Sequence, residues 1–255
     1  MAAETLEILA RGGYRDVVIG PDVAAAVAGT RLYRPEDPVD VPSRPAGAAD
    51  VEVTNETTLS AARRIGGDVA ALNFASARNP GGGFQTGAQA QEESLARSSA
   101  LYPCLTAAGE FYAYHRTHPE LTYSDRVIYS PAVPVFRDDA GDLLPRPYPV
   151  VFLTAAAPNR AAIERQQPHL LPEVPAVLAR RARRVLAIAA AHRHRRLVLG
   201  AWGCGVFGND PAVVADAFAV ALREAPWFER VVFAILDRGR DAPTRAAFAR
   251  VFGGR

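Results

Sequence analysis

Val69-Ala70-Ala71-Leu72-Asn73-Phe74 leads into Asn79-Pro80-Gly81-Gly82-Gly83, and after seven further residues the chain reads Gln91-Glu92-Glu93. The first segment is a short apolar run, the signature of a strand buried on both faces. The glycines expose bare backbone to a bulky anion and reach positive φ without steric cost. The acidic pair then opens a helix that faces the same loop. Strand, glycine loop and helix in that order define one unit of an α/β sheet, whose ligands gather beyond the carboxyl ends of the strands.

Outward from this unit, strand and helix signals alternate. Val51 to Thr54 reads as a strand and Thr58 to Ile65 as a helix that Asn55 or Thr57 caps. Gln91 to Leu105 reads as one helix with Pro103 near its end. Val127-Ile128-Tyr129 and Val150 to Leu153 are strand-like, and Val174 to Ala191 is a long Ala/Arg/Leu helix. The strand Leu197 to Gly200, the helix Pro211 to Ala225, the strand Val231 to Ile235 and the helix Asp241 to Phe252 complete the chain. This order predicts an α/β three-layer fold with a mixed, largely parallel central sheet.

The first 49 residues are read as an N-terminal extension, with short helices over Ala3 to Leu9 and Asp22 to Ala28. Pro35, Pro38, Pro42 and Pro45 mark a connector, and residues 50–255 form the core.

Bulk composition narrows the class. A chain of 255 residues has ample length for a sizeable core, and 29 Lys+Arg against 27 Asp+Glu leaves no global cationic field. A stable nucleic-acid partner is therefore not expected. No apolar run reaches membrane-spanning length, and the N-terminus lacks a basic region followed by an apolar core. Cys104 and Cys204 show no CxxC spacing. A reduced, cytoplasmic protein is the expectation.

A second glycine-rich loop, Gly203-Cys204-Gly205-Val206-Phe207-Gly208-Asn209, also follows a strand and precedes a helix. Two helix N-termini with free N–H groups can clamp a diphosphate between them. Neither loop is followed by Gly-Lys-Ser/Thr, and the late Gly203-x-Gly205-x-x-Gly208 match is weak as a dinucleotide fingerprint. Glu92 and Glu93 diverge by about a hundred degrees on a helix, so they serve different roles. A carboxyl kept protonated near neutral pH can deliver a proton to a leaving group, as in glycoside hydrolysis. Acidic residues also favour a first helical turn for its own sake, and the residues alone leave both readings open. Phe207, set among small residues, suits packing against a ligand ring. His192 and His194 read as solvated, and His115 and His118 lack metal-ligand partners, so no metal site is expected.

Leu72 to Gly83 together with Gln91-Glu92-Glu93 resembles the bacterial-type poly(ADP-ribose) glycohydrolases, whose motif is Gly-Gly-Gly followed after a short spacer by Gln-Glu-Glu. The second loop resembles that family's second diphosphate-binding loop. The resemblance covers nearly the whole chain and implies a macrodomain core. It implies hydrolysis of ribose–ribose O-glycosidic bonds in poly(ADP-ribose), mainly from chain ends, with ADP-ribose as product and no cofactor. It makes Glu93 the acid that protonates the departing ribose oxygen and Glu92 the residue that orients the ribose hydroxyls. Gly81, Gly82 and Gly83 would hold the diphosphate with the second loop, over Gly203, Gly205, Val206, Phe207 and Gly208. Phe207 and Asn79 would meet the distal ribose, and Gln91 would shape the acid loop. Removal of a single ADP-ribose from an ADP-ribosylated macromolecule, or ADP-ribose binding without turnover, are the alternatives; a pure reader has no need of either carboxylate.

Overall fold

The structure, a computed structural model, describes residues 1–41, 47–224, 226–237, 239 and 241–253. The centre of the proline-rich connector and the expected helix end at Ala225 lie outside the described residues.

The chain begins with α1 (Ala2–Arg11), a small hairpin of β1 (Gly13–Tyr14) and β2 (Val17–Val18), α2 (Gly20–Gly29) and β3 (Arg31–Tyr33). Then come β4 (Asp50–Thr54), α3 (Thr58–Ile65) and β5 (Val69–Phe74), followed by α4 (Gln91–Ser98), α5 (Leu101–Ala107) and α6 (Gly109–Thr117). A long hairpin of β6 (Val127–Arg137) and β7 (Leu143–Ala155) precedes α7 (Arg160–Gln166) and α8 (Val174–Ala191). The last elements are β8 (Arg196–Leu199), α9 (Pro211–Glu224), β9 (Arg230–Ala234) and α10 (Pro243–Phe252).

Seven strands form one sheet in the order β3-β6-β7-β5-β8-β9-β4. The run β7-β5-β8-β9-β4 is parallel throughout, whereas β6 pairs antiparallel with both β7 and β3. This is the mixed, largely parallel sheet expected from the sequence. One apolar cluster packs α7, α8, α9 and α10 on one face, through Ile163, Leu178, Phe218 and Phe248. A second packs α2, α3, α4, α5 and α6 on the other, through Ala26, Leu59, Leu95, Leu105 and Phe111. Both faces of β5, β8 and β9 are covered, which is why they read as continuous apolar runs, whereas the edge strand β4 alternates Val51 and Val53 with Asp50, Glu52 and Thr54. The sheet edge at the strand C-termini carries the two glycine loops.

Three expectations are revised. The segment Gln91 to Leu105 is two helices, because Ser99 bridges to Val135 of β6 and the Ala100 N–H donates to the Pro134 carbonyl at 2.9 Å. Pro103 falls in the first turn of α5, where an N–H has no intrahelical partner to lose. The strands of the β6–β7 hairpin run far beyond the apolar cores read from sequence. Pro131 and Pro134 are tolerated there because β6 carries register shifts, and Pro145, Pro147 and Pro149 lie where β7 has no β5 neighbour.

The third revision concerns His192 and His194. His194 is buried, hydrogen-bonded to the Tyr129 hydroxyl at 3.0 Å and facing Asp68 at 2.9 Å, while His192 stacks on Tyr129 and meets the Tyr33 hydroxyl at 2.8 Å. The N-terminal segment is tied to the core at several points. β3 is an edge strand of the main sheet, the Thr5 hydroxyl donates to the Arg97 carbonyl at 2.7 Å, and the Tyr14 hydroxyl donates to the Leu144 carbonyl at 2.6 Å.

Candidate active site

β5 ends at Phe74, and the chain turns through Ala75 to Gly83 before α4 begins. Gly81 and Gly82 adopt φ of 68° and 58°, the left-handed region that penalises a side chain. The Gly82 N–H donates to the Asn79 carbonyl at 3.0 Å, closing the turn. A Cβ on Gly82 would collide with the Glu93 Oε1 and stand 3.4 Å from the Glu92 Oε2. The glycine loop thus lies directly on the carboxylate pair.

Gln91 fastens α4 to the sheet. Its Oε1 accepts the Phe74 N–H at 2.9 Å, and its Nε2 donates to the Leu72 carbonyl at 2.8 Å and the Thr58 hydroxyl at 3.1 Å. Gln91 therefore works as a structural rivet between β5, α3 and α4. Glu93 accepts the Gly83 N–H on Oε1 at 3.0 Å and reaches back to the Ala90 N–H with Oε2 at 3.1 Å. The second bond satisfies a donor at the helix start that has no intrahelical partner.

Glu92 lies deeper beneath the same loop and is 2% exposed. Its Oε2 accepts the Ser76 N–H at 2.6 Å and its Oε1 the Asn73 amide at 3.3 Å. Burial pushes its carboxyl up to about 8 and the nearby Glu93 charge adds to this, while the Ser76, Asn73 and Gly81 hydrogen bonds oppose the rise. Asn73 also donates to the Thr154 hydroxyl at 3.1 Å, which joins β5 to β7 beneath the pair. Asn79 is exposed at the mouth of the loop.

The second loop is built on its own buried residues. Asn209 is 2% exposed and donates to the Pro158 carbonyl at 2.8 Å and the Gly203 carbonyl at 3.1 Å. Gly203, at φ 72°, leaves room for that amide, since a Cβ there would stand 2.5 Å from its Nδ2. The Trp202 indole N–H donates to the Ala155 carbonyl at 3.0 Å, and the Gly208 N–H returns to Gly205 at 2.9 Å. Gly205, Val206 and Phe207 project from this base, with Val206 largely exposed. Burial pushes the Cys204 thiol up to about 12, which rules against a reactive thiolate near neutral pH.

Phe207 packs against Tyr123, ring centroids 6.0 Å apart, and Tyr123 against His115 at 5.6 Å. Tyr123 has φ of 58°, an uncommon conformation for an aromatic residue. A buried cation holds it there. Arg181 of α8 is fully buried and donates to the Thr122 carbonyl at 3.0 Å, to Asp125 at 3.0 Å and to the Ala156 carbonyl. Sequence reading passed over Arg181, Asp125 and Tyr123, because their pairing joins separate elements. Asn73 left one trace: it is the lone amide in an apolar strand.

A cavity of about 690 Å³ opens along the same sheet edge, lined among others by Phe74, Gln91, Ala201, Gly205, Ile235 and Leu236. Its size suits a nucleotide-sized ligand. Glu92 and Glu93 stand beyond Gln91, outside its lining. Among the described residues, no helix is long and apolar enough to cross a membrane.

A three-layer α/β sheet with two glycine loops at its carboxyl edge, one closed over a buried carboxylate pair, defines a macrodomain-like protein. The family description "microbial-type PARG, catalytic domain" matches residues 2–138. The chain belongs to that family. It is similar to the poly(ADP-ribose) glycohydrolase of Thermomonospora curvata, at 55% identity and a TM-score of 0.93, over 98% of this chain and 97% of the other. The same enzyme bound to the inhibitor ADP-HPD superposes with a TM-score of 0.89, at 55% identity over 98% and 97% of the two chains. The poly(ADP-ribose) glycohydrolase of Deinococcus radiodurans, in complex with ADP-ribose, matches at 48% identity and a TM-score of 0.84, over 91% of this chain and 97% of the other. No match was found among the curated proteins compared.

Proposed function

We propose that this protein hydrolyses ribose–ribose O-glycosidic bonds in poly(ADP-ribose), mainly at chain ends, and releases ADP-ribose. The observation that carries this reading is the placement of Glu93 directly under Gly82, at the base of the first glycine loop. Any diphosphate cradled by Gly81 to Gly83 and by Gly205 to Phe207 brings its attached ribose to Glu93. The Thermomonospora curvata and Deinococcus radiodurans complexes with ADP-HPD and ADP-ribose support the same ligand class here.

In this reading the Glu93 carboxyl delivers the proton to the departing 2′-oxygen as the C1″–O bond breaks and its electron pair goes to that oxygen. A water adds to the oxocarbenium-like carbon and returns a proton to the Glu93 carboxylate. Glu92, held by Ser76 and Asn73, orients the ribose hydroxyls. The loop N–H groups contribute fixed dipoles and positioning. Asn79 and Phe207 meet the distal ribose. The cavity lined by Phe74, Ile235 and Leu236 encloses the adenosine end, which favours a terminal unit over an internal one. We assign the protein to the cytoplasm, where its two free cysteines match a reducing compartment.

The test is incubation of the wild-type protein with poly- and mono-ADP-ribosylated substrates in parallel, reading free ADP-ribose. Loss of polymer that spares the protein-linked unit is the expected result. Release from mono-ADP-ribosylated substrate alone would reassign the activity, and binding without release would make the protein a reader.

A further inference from the structure

Two guanidiniums, of Arg116 and Arg160, are anchored to the two glycine loops on either side of the Tyr123–Phe207 ring pair, and the exposed Arg78 lies beside the first of them in the chain. Arg78 is exposed and immediately precedes Asn79. Arg116, in the last turn of α6, donates Nη1–H to the Arg78 carbonyl at 2.8 Å, which fixes it against the first glycine loop. Arg160, the first residue of α7, donates Nη1–H to the Gly208 carbonyl at 3.4 Å, against the second. The rings of His115, Tyr123 and Phe207 run between α6 and the second loop.

The charge at this rim is left open. Arg34, Arg64, Arg180, Arg183 and Arg230 close on carboxylates elsewhere. Among the described residues, neither Arg78 nor Arg116 forms an ion pair, and Arg160 meets only the exposed Glu164, at 3.8 Å. Carbonyl acceptors orient Arg116 and Arg160 without neutralising them. A planar guanidinium with spare N–H donors matches phosphate oxygens.

We propose that Arg78, Arg116 and Arg160 form a subsite for the diphosphate of the departing polymer unit, the one whose ribose oxygen is protonated at Glu93. The inference rests on the glycohydrolase reading above. Chain cleavage expels an adenosine whose own diphosphate continues away from the carboxylates, past Phe207 and Tyr123. The cradle between the two glycine loops is already filled by the diphosphate of the unit being released. A second diphosphate therefore needs its own cations, and the rim supplies them. His115 adds no charge, since burial pushes its imidazole down to about 4, with Arg181 and Arg126 nearby in the same sense.

The test compares wild type, the double variant Arg78→Gln/Arg116→Gln and the single variant Arg116→Lys. Each is given poly(ADP-ribose) and, separately, an ADP-ribose 1″-glycoside with a neutral aryl leaving group. The double variant is expected to raise KM for the polymer by about tenfold, with a flatter dependence on ionic strength and unchanged KM for the aryl glycoside. Arg116→Lys should retain most of the wild-type polymer affinity, because it keeps the charge. Calorimetric affinity for free ADP-ribose should stay at the wild-type value, showing that the loops are intact. An unchanged polymer KM, or an equal loss on both substrates, would overturn the subsite while leaving the glycohydrolase reading standing. A wild-type protein inactive on both substrates would overturn that reading and the subsite with it.

Discussion

Gly82 and Glu93 occupy one another's space: the hydrogen of Gly82 faces the Glu93 Oε1, where a methyl group would collide. Ten residues of sequence separate the neighbouring Gly83 from the carboxylate that accepts its N–H at 3.0 Å. The glycine loop and the acid are therefore parts of one device, and each constrains the other.

Gly82→Ala should abolish turnover while leaving the fold in place. The new methyl must displace Glu93 and also adopt φ near 58°, a backbone penalty of about 1–2 kcal/mol. Steady-state kinetics should show kcat/KM down by at least ~100-fold, with a melting temperature lowered by only a few degrees. Near-wild-type turnover would show that the loop does not need to lie on the carboxylate.

Glu93→Gln keeps an acceptor for the Gly83 N–H but cannot supply a proton. Affinity for ADP-ribose, measured by calorimetry, should change little. Release of ADP-ribose from polymer should fall by about 10²–10⁴-fold, the usual contribution of a positioned acid. Equal losses of binding and release would make Glu93 a ligand-binding group only.

Glu92 carries a pH signature in stability. Its carboxyl is pushed from the ordinary 4.5 to about 8 by burial, so between these values the folded state holds a proton that the unfolded state has lost. Its contribution therefore becomes steadily less favourable as pH rises from about 4.5 to about 8, and levels off above. Glu92→Gln should melt higher than wild type at pH 8.5, and the gap should shrink as pH is lowered towards 5. A gap independent of pH would mean that Glu92 titrates normally.

Asp125→Ala leaves the fully buried Arg181 without its carboxylate. Burial alone would raise the Asp125 pKa, yet Arg180 and Arg181 together hold it below the ordinary carboxylate value, which marks the pair as mutually stabilising. Loss of the partner should cost about 3–5 kcal/mol in denaturant unfolding. The same variant should raise KM, since Arg181 also holds the Thr122 carbonyl beside Tyr123. A loss below 1 kcal/mol would show that the cation finds water or another acceptor.

Local chemistry made much of this molecule legible. Val69 to Phe74, Leu197 to Leu199 and Val231 to Ala234 announce themselves as strands because both of their faces are covered. The Thr57 cap, the glycine loops and the adjacent acids could also be read in place, since each depends on neighbours within a few residues. The β6–β7 hairpin was harder, because five prolines read as breakers until the register shifts and the unpaired flank of β7 explain them. His194 read as solvated because nothing nearby in sequence announces Tyr129 or Asp68.

The sequence by itself determined the layered α/β architecture and the two glycine loops, consequences of short-range periodicity and backbone freedom, while the reading of Glu92 and Glu93 as a working acid pair came from the family resemblance. The hundred degrees between Glu92 and Glu93 on a helix set their roles apart without saying what surroundings each would meet. Only the tertiary structure supplied those surroundings, by burying Glu92 against the Asn73 amide and the Ser76 N–H and setting Glu93 on the N–H groups of Gly83 and Ala90. That difference, like the Arg181 clamp on the Tyr123 loop, arises from desolvation and from contacts across more than one element. Such contacts exist only once the sheet has assembled and excluded water.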